Sequence, residues 1–283
     1  MSEPVTAAKC GALLDALRVK KPLVHFITNY VTVNDCANIT LAVGGAPVMS
    51  DQPDDAAEIC RLASALVFNI GTPGDRTLEA MLRAGKAANE AGIPVVLDPV
   101  GAGASSFRNR LLEKILEEVK FAAVKGNISE IRFLASGTGK SMGVDASKDD
   151  IALGSDSSAV ARLAAGLSRG IGAVVIVSGR IDVAADGERA YGISNGDAMM
   201  GRLTGTGCMG SGVVASFLGA APGESLASSI AGMCVMGLAG ELARKKLAPS
   251  SGTGTYRTLL MDEVSCMTGS VLENGVRLSQ IVL

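Results

Sequence analysis

Short apolar runs alternate with segments of helical periodicity along nearly the whole chain of 283 residues. Two of these runs, residues 95–97 and 174–177, are continuous rather than alternating, which is typical of parallel strands covered by helices on both faces. Strands are predicted at residues 22–28, 47–49, 65–70, 94–99, 121–125 and 173–178, followed by a hairpin of residues 181–185 and 189–193. The pattern predicts one α/β domain over residues 1–283, with a mostly parallel sheet and helices on both of its faces.

Helices are predicted between the strands from apolar residues that recur at helical spacing, such as Leu112, Ile115, Leu116 and Val119. Further helices are predicted at residues 33–43, 208–218, 226–246 and 256–267, and clusters of Gly and Ser at 136–147 and 250–254 predict loops. Residues 226–240 form an apolar stretch shorter than the roughly 20 residues that cross a bilayer, so we expect a buried core helix there.

The charge balance and the cysteine pattern exclude several classes of protein. Lys and Arg number 26 and Asp and Glu 28, so no basic excess is left to neutralise the phosphates of a nucleic acid. The six cysteines include no C-x-x-C pair, which favours free thiols over a disulfide or zinc framework. The first residues lack the basic and apolar regions of a secretory signal. We therefore expect a cytoplasmic protein that binds neither nucleic acid nor membranes.

Two glycine-rich segments partly match nucleotide-binding motifs. Residues 137–141 resemble the end of a P-loop, but Leu134 stands where the motif needs its first glycine and the preceding residues predict a helix, so a surface loop is favoured. Residues 205–210 match the dinucleotide pattern G-x-G-x-x-G, with Glu224 near the usual spacing of the acidic partner. A long helix is predicted next instead of a second strand, which argues against nicotinamide binding.

The segment Thr204-Gly-Thr-Gly-Cys208 has a simpler interpretation. Its glycines let backbone N–H groups converge ahead of an apolar helix, which favours an anion site. Cys208 stands at the edge of this site, where the positive end of the helix is expected to lower the pKa of the thiol. The alternative is a buried structural cysteine in a glycine-rich turn.

Two acidic residues follow predicted strands at the edge where open α/β sheets bind ligands. Asp98 ends an apolar strand, and Glu130 lies in the first helical turn after another. Near bound phosphates such carboxylates hold Mg²⁺, which takes one or two protein oxygens and keeps its waters. The alternatives are an Asp that caps a turn and a Glu that interacts with a helix dipole. His25 is the only histidine, so a Ser-His-Asp triad is hard to build and we expect His25 in the core.

Six motifs, taken in order, resemble one known family over residues 10–280. They are His25-Phe-Ile-Thr-Asn29, Ala46-Pro-Val-Met49, Leu66-Val-Phe-Asn-Ile-Gly71, Val95-Val-Leu-Asp-Pro-Val-Gly-Ala-Gly103, Lys125-Gly-Asn-Ile-Ser-Glu130 and Thr204-Gly-Thr-Gly-Cys208. The set resembles the hydroxyethylthiazole kinases of thiamine salvage. The last motif discriminates most, because most ribokinase-like kinases have Asp where Cys208 stands and this family has Cys.

The resemblance implies a ribokinase-like α/β fold and transfer of the γ-phosphate of ATP to the primary alcohol of 4-methyl-5-(2-hydroxyethyl)thiazole. It implies substrate contacts at Met49, Gly205, Asn29 and Gly71, ATP contacts at Lys125, Ser178, Asn127 and Gly207, a Mg²⁺ site at Asp98 and Glu130, and a catalytic residue at Cys208. It also implies a homotrimer with sites at the subunit boundaries.

Three residues depart from the family pattern: Phe26 replaces Asn, Lys125 replaces Arg and Ser178 replaces Thr. Lys125 keeps the charge but loses the bidentate geometry that Arg offers to a phosphate. Phe26 stands where a change would affect the substrate pocket or a contact between subunits. Two alternatives stay open: another ribokinase-like kinase, of the phosphomethylpyrimidine or pyridoxal type, and a silent protein that binds a nucleotide or thiazole without turnover.

Overall fold

One sheet organises the part of the chain that this computed structural model describes, residues 3–136 and 156–283. Its strands are β1 (Leu23–Ile27), β2 (Ala46–Met49), β3 (Ala65–Asn69), β4 (Val95–Asp98), β5 (Ala123–Asn127), β6 (Val174–Ser178), β7 (Asp182–Ala185), β8 (Ala190–Ile193) and β9 (Leu278–Ile281). The helices are α1 (Ala7–Lys20), α2 (Val33–Val43), α3 (Pro53–Cys60), α4 (Asp75–Glu90), α5 (Ser106–Glu118), α6 (Ile128–Ala135), α7 (Ser157–Ile171), α8 (Thr206–Ala220), α9 (Ser225–Lys246), α10 (Thr253–Cys266) and α11 (Gly269–Gly275), with a 3₁₀ turn at Ala198–Arg202.

The strand order is β2-β1-β3-β4-β5-β6-β7-β8-β9. Strands β1 to β6 are mutually parallel, and the pairings from β6 to β9 are antiparallel. The predicted mostly parallel sheet is therefore confirmed. The sequence did not predict β9, because this edge strand is only half-buried and lacks the continuous apolar run of the inner strands.

Helices cover both faces of the sheet, as predicted. Successive strand residues point to opposite sides, so Val67 joins one hydrophobic core and Phe68 the other. The first core is completed by side chains of α1, α2 and α8 to α11, and the second by side chains of α3 to α7. Parallel strands buried on both faces need this double cover.

The predicted core helix at residues 226–240 is confirmed. Helix α9 is the one helix among the described residues that is long and apolar enough, by length and composition, to cross a membrane. Of the 18 consecutive residues of α9 with the highest mean hydropathy, 89% are buried inside the protein. Its apolar surface packs in the first core, together with that of α8.

The start of helix α8 shows where the glycine-rich segment 205–210 lies in the fold. This helix begins at Thr206, earlier than the predicted residue 208, so the glycine segment forms its first turn rather than a loop ahead of it. Helix α9 follows directly, and Glu224 forms an ion pair with Lys9 at 2.9 Å, so the nicotinamide alternative is wrong. The P-loop-like residues 137–141, and most of the loop predicted at 136–147, lie outside the described residues.

His25 and Phe26 both lie in the interior. The His25 ring is fully buried, and its Nε2 donates a hydrogen bond to the Ser50 carbonyl at 2.9 Å, which confirms the predicted core histidine. Phe26 packs against α8, where a Cβ on Gly212 would lie 3.0 Å from its ring. Phe26, one of the three residues that depart from the family pattern, is therefore part of the core.

Candidate active site

The predicted site residues gather along one edge of the sheet, where the parallel strands end. Two of them follow strands: Asn29 comes after β1 and Gly71 after β3. Four are the last residues of β2, β4, β5 and β6, namely Met49, Asp98, Asn127 and Ser178. The others lie within β5 (Lys125), in α6 (Glu130) and at the start of α8 (Gly205, Gly207 and Cys208). Open α/β sheets bind ligands at this edge.

The start of α8 requires glycine at one position and leaves space at another. Gly205 has φ +92°, and a Cβ there would lie 2.7 Å from Cγ2 of Thr32, so only glycine fits. No side chain caps the helix, which leaves the N–H groups of its first turn without a side-chain partner. Among residues 3–136 and 156–283, and leaving aside its own helix, a Cβ on Gly207 would meet Nζ of Lys125 alone within 4 Å, at 3.8 Å. The Lys125 ammonium is buried and donates to the Gly207 carbonyl at 2.9 Å.

Cys208 is held by two amides. Its Sγ accepts hydrogen bonds from Nδ2 of Asn69 at 3.1 Å and from Nδ2 of Asn29 at 3.5 Å. The structure thus brings together the predicted residues Asn29 and Cys208. Asn69 could not be assigned a role from its sequence motif, although it ends β3 next to Asp98 in the sheet register. A polar residue at the end of an apolar strand was the available signal.

The buried carboxylate of Asp98 lies beside this cluster. Its Oδ2 accepts hydrogen bonds from Asn69 Nδ2 and from Ser211 Oγ, both at 2.8 Å. Ser211 lies one turn after Cys208 on α8 and was also missed by the sequence analysis. Because both bonds fall on one oxygen, the other carboxylate oxygen is left for a ligand.

The carboxylate of Glu130 joins two loops at the same edge. Oε1 accepts from the Gly101 N–H at 2.9 Å, and Oε2 accepts from the Asn127 N–H at 2.8 Å. The Asn127 side chain in turn accepts from the Glu130 N–H, which completes a capping box at the start of α6. Ser178 pairs with Asn127 in the sheet, and its hydroxyl donates to the Gly126 carbonyl at 3.2 Å.

A family model described as the hydroxyethylthiazole kinase family matches residues 14–270 of the chain. The chain belongs to the hydroxyethylthiazole kinase family. It is therefore a phosphotransferase, and the edge of the sheet described above is its candidate active site.

Individual members of this family are also similar to the chain in sequence and in structure. The hydroxyethylthiazole kinase of Clostridium beijerinckii is 44% identical over 273 residues, covering 96% of this chain and 98% of the relative. The structure of a hydroxyethylthiazole kinase protein from Pyrococcus horikoshii superposes with a TM-score of 0.84 at 32% identity, covering 96% of this chain and 99% of that one. A ribokinase-like superfamily protein from Enterococcus faecalis, at 10% identity and a TM-score of 0.57 over 94% of this chain and 92% of that one, shares the fold. The expected ribokinase-like fold is confirmed.

The pKa of the Cys208 thiol differs from the expectation. Burial raises this pKa above its ordinary value, and the Asp98 carboxylate raises it further. Hydrogen bonds from Thr32 and Asn69 and the charge of Lys125 oppose the rise without cancelling it. The predicted lowering by the helix N-terminus is therefore wrong, because the sulfur is desolvated and faces a carboxylate.

Burial also raises the pKa of both carboxylates of the candidate active site. For Asp98 the charge of Lys125 and the bonds from Ser211 and Asn69 oppose the effect of burial. For Glu130 the N–H groups of Gly101 and Asn127 oppose it, while the charge of Asp98 adds to it. The two carboxyl groups therefore interact electrostatically, and each favours its neutral form more than a carboxyl group in water does.

Asp182, on β7 near Lys125, gives a prediction for stability against pH. Burial raises its pKa from 3.8 to about 6, with the Gly179 N–H bond and Lys125 opposing. The folded state therefore binds the proton more tightly than the unfolded state, and stability is lost as pH rises from about 4 to about 6. We expect Asp182→Asn to stabilise the fold by about 1–3 kcal/mol near neutral pH.

Urea unfolding of the wild type and Asp182→Asn at two pH values measures this effect. The difference in unfolding free energy between the two proteins should be large at about pH 8 and should shrink at about pH 4.5. The titration of the other carboxylates contributes equally to both proteins and cancels from this difference. A difference that grows as pH falls would contradict the assignment.

Proposed function

We propose that this hydroxyethylthiazole kinase family member transfers the γ-phosphoryl group of ATP to the primary hydroxyl of 4-methyl-5-(2-hydroxyethyl)thiazole, giving the thiazole phosphate for thiamine salvage. The observation that carries the proposal is the segment Thr204-Gly-Thr-Gly-Cys208, which forms an uncapped helix N-terminus beside Lys125 at the carboxyl edge of the sheet. Uncapped N–H groups and a buried ammonium stabilise the negative charge of a transferring phosphoryl group.

The two substrates are assigned to neighbouring parts of this edge. The thiazole alcohol contacts Met49, Asn29, Gly71 and Gly205, and ATP contacts Lys125, Asn127, Ser178 and Gly207. Two facts support this division: Cys208 accepts a hydrogen bond from Asn29, on the side of β1 and β3, and Lys125 contacts Gly207, on the side of β5. The reacting groups would then meet at the first turn of α8.

The donor set fits Mg²⁺, which would neutralise charge on the phosphates. Among residues 3–136 and 156–283 no cluster of three or more His, Cys, Asp or Glu could hold a metal ion. Mg²⁺ needs only one or two protein carboxylates when phosphate and water complete its shell. Asp98 has a carboxylate oxygen outside its two hydrogen bonds, and Glu130 can act through water. We assign these two residues to the metal.

Cys208 is assigned as the residue that accepts the hydroxyl proton. Because burial raises the pKa of its thiol, the neutral form dominates at neutral pH and its contribution as a base is small there. Positioning and charge stabilisation supply most of the acceleration in phosphoryl transfer. Cys208 therefore assists the reaction rather than dominating it.

A substrate panel tests the proposed function. ADP release is measured with hydroxyethylthiazole, hydroxymethylpyrimidine and pyridoxal, each with ATP and with or without Mg²⁺. We expect Mg²⁺-dependent phosphorylation of hydroxyethylthiazole, with a kcat/KM well above the values for the other two alcohols. Equal or reversed kcat/KM values would reject the substrate while keeping the family, and no turnover with any alcohol would indicate a silent binding protein.

Variants at Cys208 test its assignment. Cys208→Ala is expected to stay folded, to bind ATP nearly normally and to keep measurable activity, with a loss at or below the low end of the roughly 10²–10⁴-fold typical of a general base. Cys208→Asp is expected to be active, because the helix N-terminus tolerates an anion. Single-turnover phosphorylation across pH measures both, with circular dichroism as the folding control. A folded but dead Cys208→Asp would return Cys208 to a structural role.

We also propose a homotrimer with sites at subunit boundaries. Three large apolar side chains on the segment from the end of β1 through α2 are exposed: Tyr30 at 79%, Val31 at 60% and Leu41 at 57%. Tyr30 and Val31 directly follow Asn29, so a neighbouring subunit that covers them would border the substrate pocket. Sedimentation equilibrium tests the assembly, and we expect a mass three times that of the chain.

The remaining assignments concern the chain as a whole. We propose that residues 1–283 form a single kinase domain, because the sheet includes strands from β1 near one end to β9 near the other. We propose a cytoplasmic location, because ATP is available there. Limited proteolysis and cell fractionation test these two assignments.

A further inference from the structure

Asn69 lies at the centre of four hydrogen bonds. Its Oδ1 accepts from the Gly71 N–H and from Nδ2 of Asn29, both at 2.9 Å. Its Nδ2 donates to Oδ2 of Asp98 at 2.8 Å and to Sγ of Cys208 at 3.1 Å. The side chain is only 2% exposed, so it is sealed within this network.

The chemistry of the partners fixes how this amide is oriented. A backbone N–H can only donate, so the side of Asn69 that faces Gly71 must be the carbonyl oxygen. The Asn29 amide is fixed in the same way, because its Oδ1 accepts from the N–H of Thr32 at 3.0 Å. The NH₂ group of Asn69 therefore faces Asp98 and Cys208, and each of its two N–H bonds has one acceptor.

We propose that Asn69 is a positioning residue, whose amide holds the Cys208 sulfur and the Asp98 carboxylate in a fixed relation for phosphoryl transfer. The proposal rests on the proposed function. Both polar atoms of the Asn69 amide are already occupied by protein partners, so Asn69 acts through these two groups.

Asn69 is the one described side chain that hydrogen-bonds to both groups. Ser211 donates to Asp98 but not to Cys208, and Asn29 donates to Cys208 but not to Asp98. Without Asn69, the sulfur loses its shorter amide hydrogen bond and keeps the longer one from Asn29. The carboxylate keeps Ser211, and nothing then links the two groups directly.

Hydrogen bonds from Arg108 connect the loops around Asn69. Arg108 donates to the carbonyls of Ile70 at 2.6 Å, Gly71 at 2.9 Å and Val100 at 2.9 Å, which joins the loops after β3 and β4. The Gly71 N–H that orients Asn69 is therefore fixed from outside the network. A group held in this way is pre-organised for catalysis.

The first test compares Asn69→Ala, Asn69→Asp and the matched control Ser211→Ala. Asn69→Asp keeps the shape and the acceptor side but replaces the two donors with a carboxyl oxygen that faces Asp98, so it remains informative if Asn69→Ala fails to fold. We expect kcat to fall about 10- to 100-fold in both Asn69 variants, as for loss of a hydrogen bond to a charged or reacting group, with a smaller fall in Ser211→Ala. KM for both substrates should stay within about twofold.

Three outcomes of this comparison would overturn the proposal. A wild-type kcat in folded Asn69→Ala, or in folded Asn69→Asp above the pH at which its new carboxyl group ionises, would show that the donors are not needed. A rise in KM at constant kcat would show a pocket role. An equal loss in Ser211→Ala would show that Asn69 acts through Asp98 alone.

A double-variant cycle tests the connection to Cys208. If Asn69 positions the sulfur, Asn69→Ala should cost at least about threefold less in kcat in a Cys208→Ala background than in the wild type. An equal cost in both backgrounds would overturn the proposal.

A readout without substrate separates this proposal from the proposed function. Iodoacetamide alkylation of Cys208, followed by peptide mass spectrometry across pH, reports on the sulfur directly. We expect the alkylation midpoint to move to higher pH in Asn69→Ala and to stay in place in Ser211→Ala. An unmoved midpoint in Asn69→Ala would overturn the Asn69 proposal, whereas a wild type that fails on every alcohol would overturn only the proposed function.

Discussion

The Asp98→Asn variant is expected to fold at least as stably as the wild type near neutral pH and to lose most of its turnover. Burial raises the pKa of Asp98, so the folded state disfavours the ionised carboxylate, and this cost is present above the folded pKa and absent below the unfolded one. The amide has the same shape, and its oxygen can still accept the bonds from Asn69 and Ser211. We expect kcat to fall about 10²–10³-fold, the typical cost of removing one electrostatic group from an active site.

Two measurements separate the effects of Asp98→Asn on stability and on catalysis. Urea unfolding gives the free energy of unfolding, and single-turnover phosphorylation gives the chemical rate. The matched control is Asp54→Asn, since the Asp54 side chain is 80% exposed and forms only a surface ion pair with Arg83. The control should change neither quantity much. An Asp98→Asn protein that is unstable yet fully active would show that Asp98 is structural and has no part in the chemistry.

Gly207→Val is the second large effect, because it should abolish turnover without unfolding the protein. Outside its own helix, a Cβ at this position meets Nζ of Lys125 alone within the described part of the chain, at 3.8 Å, so that part leaves room for it. The branched side chain would fill the space through which phosphate reaches the first turn of α8. We expect a loss of about 10²–10³-fold or more in kcat, the cost of losing a donor to the transferring group.

Two glycine variants serve as controls for Gly207→Val. Gly166→Val places the same residue in helix α7, where a Cβ meets nothing within 4 Å, and should leave turnover and folding unchanged. Gly205→Ala should instead destabilise the fold, because φ is +92° and Thr32 lies 2.7 Å from the new Cβ. Thermal unfolding and single-turnover rates are measured on all three. A folded Gly207→Val enzyme with a normal rate would contradict phosphate approach at this backbone.

The inner sheet could be predicted from the sequence because its signal is local. Strands such as β4 and β6 are continuous apolar runs, and burial on both faces produces that pattern directly. The edge strand β9 has no such run, so its place depends on pairing with β8, which lies far away in sequence. A local run of apolar residues therefore identifies strands in the interior of a sheet better than strands at its edges.

The site was predictable in position but not in its electrostatics or its connections. Asp98 and Cys208 were found because each stands at the end of a recognisable element. The pKa of Cys208 was predicted in the wrong direction, since burial and a facing carboxylate come from tertiary structure. Asn69 was missed for the same reason, because its role exists only through partners on three other segments.

The hydrogen bonds of the site also govern when it can form during folding. Asn69 and Cys208 are 139 positions apart, and Asn29 and Cys208 are 179 apart. Every parallel strand therefore leaves the ribosome before α8 does, and contacts this distant in sequence form slowly. Until α8 and α9 dock, their largely buried apolar surfaces are exposed to chaperones and to other nascent chains. Turnover thus requires that α8 has docked, whereas circular dichroism detects helices and strands whether or not they have docked.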